Sequence, residues 1–253
     1  MLIEIFLVLA VGLTFGSFVT LASYRLPRSE DIVVKPSSCP KCGTKLKFLD
    51  LWPVFSWILT RGRCRYCHAP VSLRYPLTEI VTSAMFLLLY FHYGITVQSM
   101  LLAALWVVLM IMIVVDLEHY IIPDQLQYTL LVLGLVYQRL QGTSYEEMLK
   151  GLLLAGGIGL ALHYGYRYLR RKEGLGFGDV KFFAIAGIWL GFKPFIPFLF
   201  FSGILGVVTG LVWRMLKKGA IFPFGPALAL SLFLCVAFLK IANYFWNIEQ
   251  FIK

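Results

Sequence analysis

Three long apolar stretches constrain the fold class before any motif is considered. Residues 2–23 carry one charged side chain, Glu4, and residues 97–115 and 194–213 carry none. At about 1.5 Å of rise per residue, each matches the ~30 Å hydrocarbon core of a bilayer. Further apolar segments at 76–93, 125–138, 151–166, 182–192 and 221–239 bring the expected number of spans to eight. With 59% hydrophobic and 14% charged residues, the 253-residue chain is too apolar for an ordinary soluble domain. The prediction is an all-α polytopic membrane protein with about eight transmembrane helices.

The net charge of +10 would on its own suggest nucleic acid or an acidic surface. Its distribution points to membrane orientation instead. Ten Lys/Arg fall in residues 24–75, five in 166–181 and three in 214–219, three segments that eight spans place on one side. The other side receives Arg139, Lys150, Lys193, Lys240 and Lys253. This positive-inside bias puts the N-terminus outside and the large first loop in the cytoplasm. Glu4 stands where a signal peptide would be basic, so the first span reads as a retained anchor. The expected organisation is a first transmembrane helix over 1–24, a cytoplasmic four-cysteine zinc domain over 25–75, and a seven-helix membrane domain over 76–253.

Four of the five cysteines form two CxxC corners, Cys39–Cys42 and Cys64–Cys67. Four thiolates so spaced match a closed tetrahedral zinc site of structural type. Two disulfides or a redox pair are the alternatives; a cytoplasmic loop disfavours the first, and the second needs only one corner. Gly43 and Pro40 suit the tight turn of such a corner, and His68 reads as an exposed neighbour. Cys235, alone in the last apolar segment, reads as packing.

Acidic residues are rare in the apolar segments, which makes two at their ends conspicuous. Asp116 closes the run at 97–115, and Asp179 lies in Gly176-Phe177-Gly178-Asp179-Val180-Lys181. An ionisable group at membrane depth defaults to function. Two carboxyls sharing one proton can activate water, as in aspartic proteases. Downstream of Asp116, Pro123 should break the backbone, and Asp124 reads as a cap for the next helix. Only eleven residues separate Lys181 from Lys193, so the span after Asp179 must begin earlier or remain a half-helix. Gly176 and Gly178 would permit irregular backbone there.

Taken together these residues resemble the bacterial type 4 prepilin peptidases, which combine leader peptidase and N-methyltransferase activities. The resemblance runs from Gly16-Ser17-Phe18 and Tyr24-Arg25-Leu26-Pro27 through both CxxC corners and Arg74-Tyr75-Pro76-Leu77-Thr78-Glu79. It continues through Asp116, Ile122-Pro123-Asp124, the GxGD element at 176–179 and Pro223-Phe224-Gly225-Pro226. It implies that Asp116 and Asp179 are catalytic, with Gly176, Gly178, Lys181, Asp124 and Glu79 in support, and that the four cysteines bind zinc. It implies cleavage after glycine of prepilin or pseudopilin leaders at the cytoplasmic face of the inner membrane. Methylation of the new N-terminus by S-adenosylmethionine would follow. No soluble-type Gly-rich methyltransferase motif is present, so the methyl-donor site is unassigned. The alternatives are a peptidase with an inactive methylase half and an ion- or proton-coupled transporter. The second is disfavoured because no acid crosses the midplane of a span.

Overall fold

The computed structural model describes residues 1–171, 174–191, 194–216 and 222–238. Lys172, Lys193, Lys217, Lys218, Lys240 and Lys253, counted above for orientation, lie outside the described residues, as do positions 192, 221 and 239 of the expected spans. The regular elements are helices: α1 (Leu2–Arg25), a short α2 (Phe55–Leu59), α3 (Arg74–Tyr93), α4 (Val97–His119), α5 (Asp124–Leu140), α6 (Tyr145–Arg170), α7 (Phe177–Leu190), α8 (Phe195–Met215) and α9 (Gly225–Ala237). Extended pairing among the described residues is confined to two isolated bridges, Ser38 with Lys45 and Arg63 with Pro70. Four stretches, Leu2–Arg28, Val97–His119, Tyr145–Leu169 and Phe195–Met215, are long and apolar enough to cross a membrane; α9 is apolar but shorter.

The chain divides into two compact units, Met1–Ile111 and Met112–Lys253. In the first, α1 and α3 form the main helix pair. Their backbones nearly touch: a Cβ at Gly16 would come within 2.5 Å of Glu79 Cα, and one at Gly12 within 2.6 Å of Ser83 Cα. Gly12 and Gly16 are four residues apart, so both lie on one face of α1, the small-xxx-small pattern that lets apolar helices approach closely. Ser83 Oγ adds an interhelical hydrogen bond to the carbonyl of Leu9, 3.0 Å long.

The second unit is built around α7, which packs against α5, α6, α8 and α9. Most residues from Val180 to Leu190 are buried, as expected of a helix with no polar face. It starts at Phe177, ahead of Lys181, and at 14 residues is about 21 Å long at 1.5 Å per residue. Its last carbonyls would be orphaned in an apolar interior. Gln138 solves this by donating Nε2 to the carbonyls of Ile188 and Trp189. Trp189 in turn donates Nε1 to the carbonyl of Leu130 at 2.9 Å, tying α7 to α5. Where α6 crosses α7, Gly151 and Gly187 leave no room for a Cβ on either side.

The α1–α3 crossing should not tolerate a side chain. Gly16→Val is expected to destabilise the purified protein by about 1–3 kcal/mol, an overpacking cost. Gly157→Ala, which points into open space on α6, should match or slightly exceed wild type. Thermal unfolding in detergent compares the two; equal stability of Gly16→Val and wild type would contradict the packing described.

Candidate active site

The cysteine corners adopt the same local structure twice. In the first, Gly43 N–H donates to the carbonyl of Cys39 at 2.8 Å and Cys39 N–H to that of Thr44 at 3.0 Å. In the second, His68 N–H donates to Cys64 at 3.0 Å and Cys64 N–H to Ala69 at 2.8 Å. Gly43 and His68 occupy the same left-handed position, with φ of 71° and 55°. This explains a glycine in the first corner and shows His68 to be a turn residue, exposed and outside the sulfur cluster. The four Sγ atoms all lie within 4.8 Å of one another, with Cys39 and Cys67 3.9 Å apart and no disulfide formed. Thiolates about 2.3 Å from one tetrahedral ion stand about 3.8 Å from each other, so the donor set fits a metal.

Asp50 clips the second corner to the segment after the first. Its carboxylate accepts from Lys47 N–H at 3.0 Å and Tyr66 Oη at 2.8 Å, and pairs with Arg65 Nε at 3.2 Å. Burial pushes the Asp50 carboxyl upward, but these donors outweigh it and hold the group below its ordinary range. Because the folded value is lowered, this support is present at neutral pH and fades as acid protonates the carboxylate.

Glu79, expected at a helix entrance, is only 6% exposed. Its Oε2 accepts the backbone N–H of Val54 at 2.7 Å, with the Ser17 hydroxyl nearby. Val54 is a β-branched residue at φ 61°, an unfavourable conformation that this bond helps to hold.

The two aspartates come together in the second unit by a shared device. Asp116 sits in the last turn of α4, 6% exposed, and its Oδ2 accepts the N–H of Gly225 at 2.7 Å. Gly225 is the first residue of α9, so this N–H would otherwise be an orphan of the helix start. Any Cβ at position 225 would fall 2.7 Å from that same carboxylate oxygen, so glycine is required. Asp179 occupies the first turn of α7, where its Oδ2 accepts the N–H of Gly176 at 3.2 Å. Each carboxylate thus faces the positive end of a helix dipole. Among the described residues the Oδ1 of each accepts no hydrogen bond, and the two groups are close enough for the charge on Asp116 to act on Asp179.

The backbone between α4 and α5 breaks where expected. Tyr120, at φ 57°, ends α4, and extended Pro123 precedes the first residue of α5. Asp124 makes no cap hydrogen bond, however; its carboxylate pairs with Lys181 Nζ at 2.7 Å. That pair links the start of α5 to the GxGD helix, with both partners substantially exposed. A Cβ added at Gly178 would meet Ile122 at an ordinary 3.5 Å, and one at Gly176 would stand 3.3 Å from Asp179 Oδ2.

Sequence reasoning missed Gln127 and the role of Gly225. Gln127, 2% exposed, donates Nε2 to the carbonyl of Gly178 at 3.2 Å and so holds the GxGD backbone against α5. A glutamine four residues after Ile-Pro in an apolar helix was the available signal. Gly225 was visible in Pro-Phe-Gly-Pro, but its partner lies 109 residues away.

The chain is similar to known proteins over most of its length. The family model of the bacterial peptidase A24 N-terminal domain matches residues 10–93, which hold all four clustered cysteines and Glu79. That of the type IV leader peptidase family matches residues 101–211, which hold both aspartates. A prepilin leader peptidase/N-methyltransferase of Pectobacterium carotovorum subsp. carotovorum is 34% identical over 250 residues, covering 87% of this chain and 88% of that protein. The protein of the same name from Xanthomonas campestris pv. campestris is 32% identical over 251 residues, covering 87% and 86%. That from Aeromonas hydrophila is 34% identical over 209 residues, covering 79% and 71%. No solved structure matches the chain. With two family models in tandem and relatives similar over most of its length, the chain belongs to the type IV leader peptidase family.

Proposed function

We propose that this protein removes the leader from type IV prepilins or pseudopilins and methylates the amine so exposed, with Asp116 and Asp179 as the acids of the peptidase. The observation that carries the peptidase reading is the matched pair of carboxylates, each held through Oδ2 by a backbone N–H and each keeping Oδ1 unbonded among the described residues. Two interacting carboxyls in a poorly solvated site share one proton. The ionised member takes a proton from water as the oxygen attacks the scissile carbonyl after glycine. The protonated member donates to the carbonyl oxygen. Collapse of the tetrahedral species breaks the C–N bond, and the departing amine takes up a proton. Gly176 and Gly225 hold the carboxylates, Gly178 and Gln127 set the backbone behind Asp179, and Lys181 with Asp124 ties that backbone to α5.

When bound, S-adenosylmethionine would supply an electrophilic methyl group for the free amine. The chain's own contribution is to present that amine in neutral form beside the donor.

In this reading all eight longer helices cross the bacterial inner membrane, with the N-terminus outside. Residues 25–75 form a cytoplasmic zinc domain, and the peptidase domain occupies 76–253. The cytoplasmic assignment rests on the Lys/Arg distribution. Cys39, Cys42, Cys64 and Cys67 hold zinc in a closed structural site.

Cleavage of a prepilin in nanodiscs, followed by product mass, tests the dyad. Asp116→Asn and Asp179→Asn should each lower the rate by about 1000-fold or more, with the protein still folded. Retained cleavage in both would leave the acids a relay or structural role. For Gln127→Leu the expected loss is milder, about 3- to 30-fold in kcat with KM little changed, since it loosens a positioning contact worth about 1–2 kcal/mol. An unchanged kcat would remove Gln127 from the site. Elemental analysis should find about one zinc per chain. Cys64→Ser should lower that content and make residues 25–75 sensitive to protease. Full zinc content in the variant would point to ligands elsewhere.

A further inference from the structure

The link between the two cysteine corners carries an apolar surface that neither the sulfur cluster nor the acid pair uses. A short 3-10 helix, Phe48–Leu51, leads through Trp52 and Pro53 into α2. Phe48, Leu49, Trp52, Phe55, Ile58 and Leu59 are each between 48% and 75% exposed. They form one surface rather than scattered groups. The rings of Phe48, Trp52 and Phe55 meet edge to face in succession, with centroids 6.2 Å and 6.5 Å apart. Phe55, Ile58 and Leu59 follow i, i+3, i+4 spacing and share one face of α2. Its other face turns inward, where Trp57 donates Nε1 to the carbonyl of Val71 at 3.1 Å. A continuous apolar surface of this kind marks an interaction site.

Two observations say what covers it. The first is depth. Val54, in the middle of the segment, donates its N–H to Glu79 at 2.7 Å, and Glu79 is the fourth residue of the apolar stretch 76–93. The segment is therefore held within about one helical turn of the level at which α3 becomes apolar. Leu77 and Ile80, on either side of Glu79 in α3, are exposed as well. The second is charge. Exposed Lys45 and Lys47 precede the apolar surface, and exposed Arg61 and Arg63 follow it. Asp50, the one acid between them in sequence, pairs with Arg65. Apolar side chains rimmed by cations suit the boundary between anionic headgroups and acyl chains. We propose that residues 48–59 form an interfacial anchor, with this apolar face set into the bilayer surface and Lys45, Lys47, Arg61 and Arg63 on lipid phosphates. This rests on the membrane reading above and adds to it a contact that does not cross the bilayer. Because the segment joins the two corners, anchoring it holds the sulfur cluster at the membrane surface rather than free in the cytoplasm.

Photo-crosslinking of the full-length protein tests the anchor, in nanodiscs of phosphatidylglycerol and phosphatidylcholine. A benzophenone amino acid replaces Phe55, Ile58 or, as a probe of the span itself, the exposed Leu88 of α3. Mass spectrometry of the adducts should find phospholipid joined to all three positions. Adducts from 55 and 58 to residues 112–238, to a second copy or to nothing would overturn the proposal. Lipid adducts at 88 without them at 55 and 58 defeat the anchor alone, whereas none at any position defeats the membrane reading, and the anchor with it. Lys47→Glu combined with Arg61→Glu should lower the lipid adduct at 55 at least about threefold. An unchanged yield would overturn the assignment to anionic lipid. Wild type gives a readout that needs no substitution. In the nanodisc, hydroxyl radicals should oxidise Trp52 at least about tenfold more slowly than in the denatured chain, because the ring is immersed. Oxidation as fast as its 48% exposure allows would place the ring in water and overturn the anchor.

Discussion

A carboxylate set among packed apolar helices must find hydrogen-bond donors or surrender its charge. The interior offers few, because helical N–H groups are spent on their own backbone. The exceptions are the first turns of helices, whose N–H groups have no internal partner. Both aspartates use this source, Asp116 from the start of α9 and Asp179 from the start of α7. Much of the second unit's architecture follows. Helix α4 must stop just after Asp116, so Tyr120 and Pro123 break it. Helix α9 must start at a residue without a side chain, hence Gly225. Helix α7 must begin just after Gly176, and its other end must then be capped from outside, which Gln138 does.

The first unit solves a different problem. Its loop between α1 and α3 exposes Phe48, Leu49, Trp52, Phe55 and Leu59 and buries few apolar groups, so an apolar core does not hold it. Two short corners with the same backbone hydrogen bonds bring four sulfurs together, and Asp50 joins the second corner to the chain following the first. Four sulfurs so placed could hold a metal ion, whose binding would supply folding energy that buried area does not. Glu79 anchors the same loop to α3 through Val54.

Local patterns were legible and tertiary ones were not. Runs of apolar residues declared the helices, and CxxC spacing declared the sulfur cluster, because each is encoded within a few neighbouring residues. The break after Asp116 was readable from Pro123 for the same reason. For Asp124 the sequence left a helix cap open beside a supporting place in the site, because Lys181, 57 residues away, is out of view of its neighbours. The burial of Glu79 is not legible in its sequence neighbours, because it comes from α1 and the loop. Gln127 offered only a faint signal: an amide in that helix acquires meaning when the carbonyl of Gly178 lies opposite.

How residues so distant meet follows from helix alternation. The chain leaves Asp116 at the end of α4, travels away along α5 and returns along α6, so α7 begins on the face where α4 ended. A further outward and return pass through α7 and α8 brings the start of α9 to that face again. Asp116, Asp179 and Gly225 are therefore delivered to one end of the unit by an even number of passes between each pair, and the Gly225–Asp116 bond records the result. An odd number of helices in either interval would send one partner to the opposite end. In this unit the helix count is thus a condition for the acid pair, and the glycines only finish at atomic distance what alternation has begun.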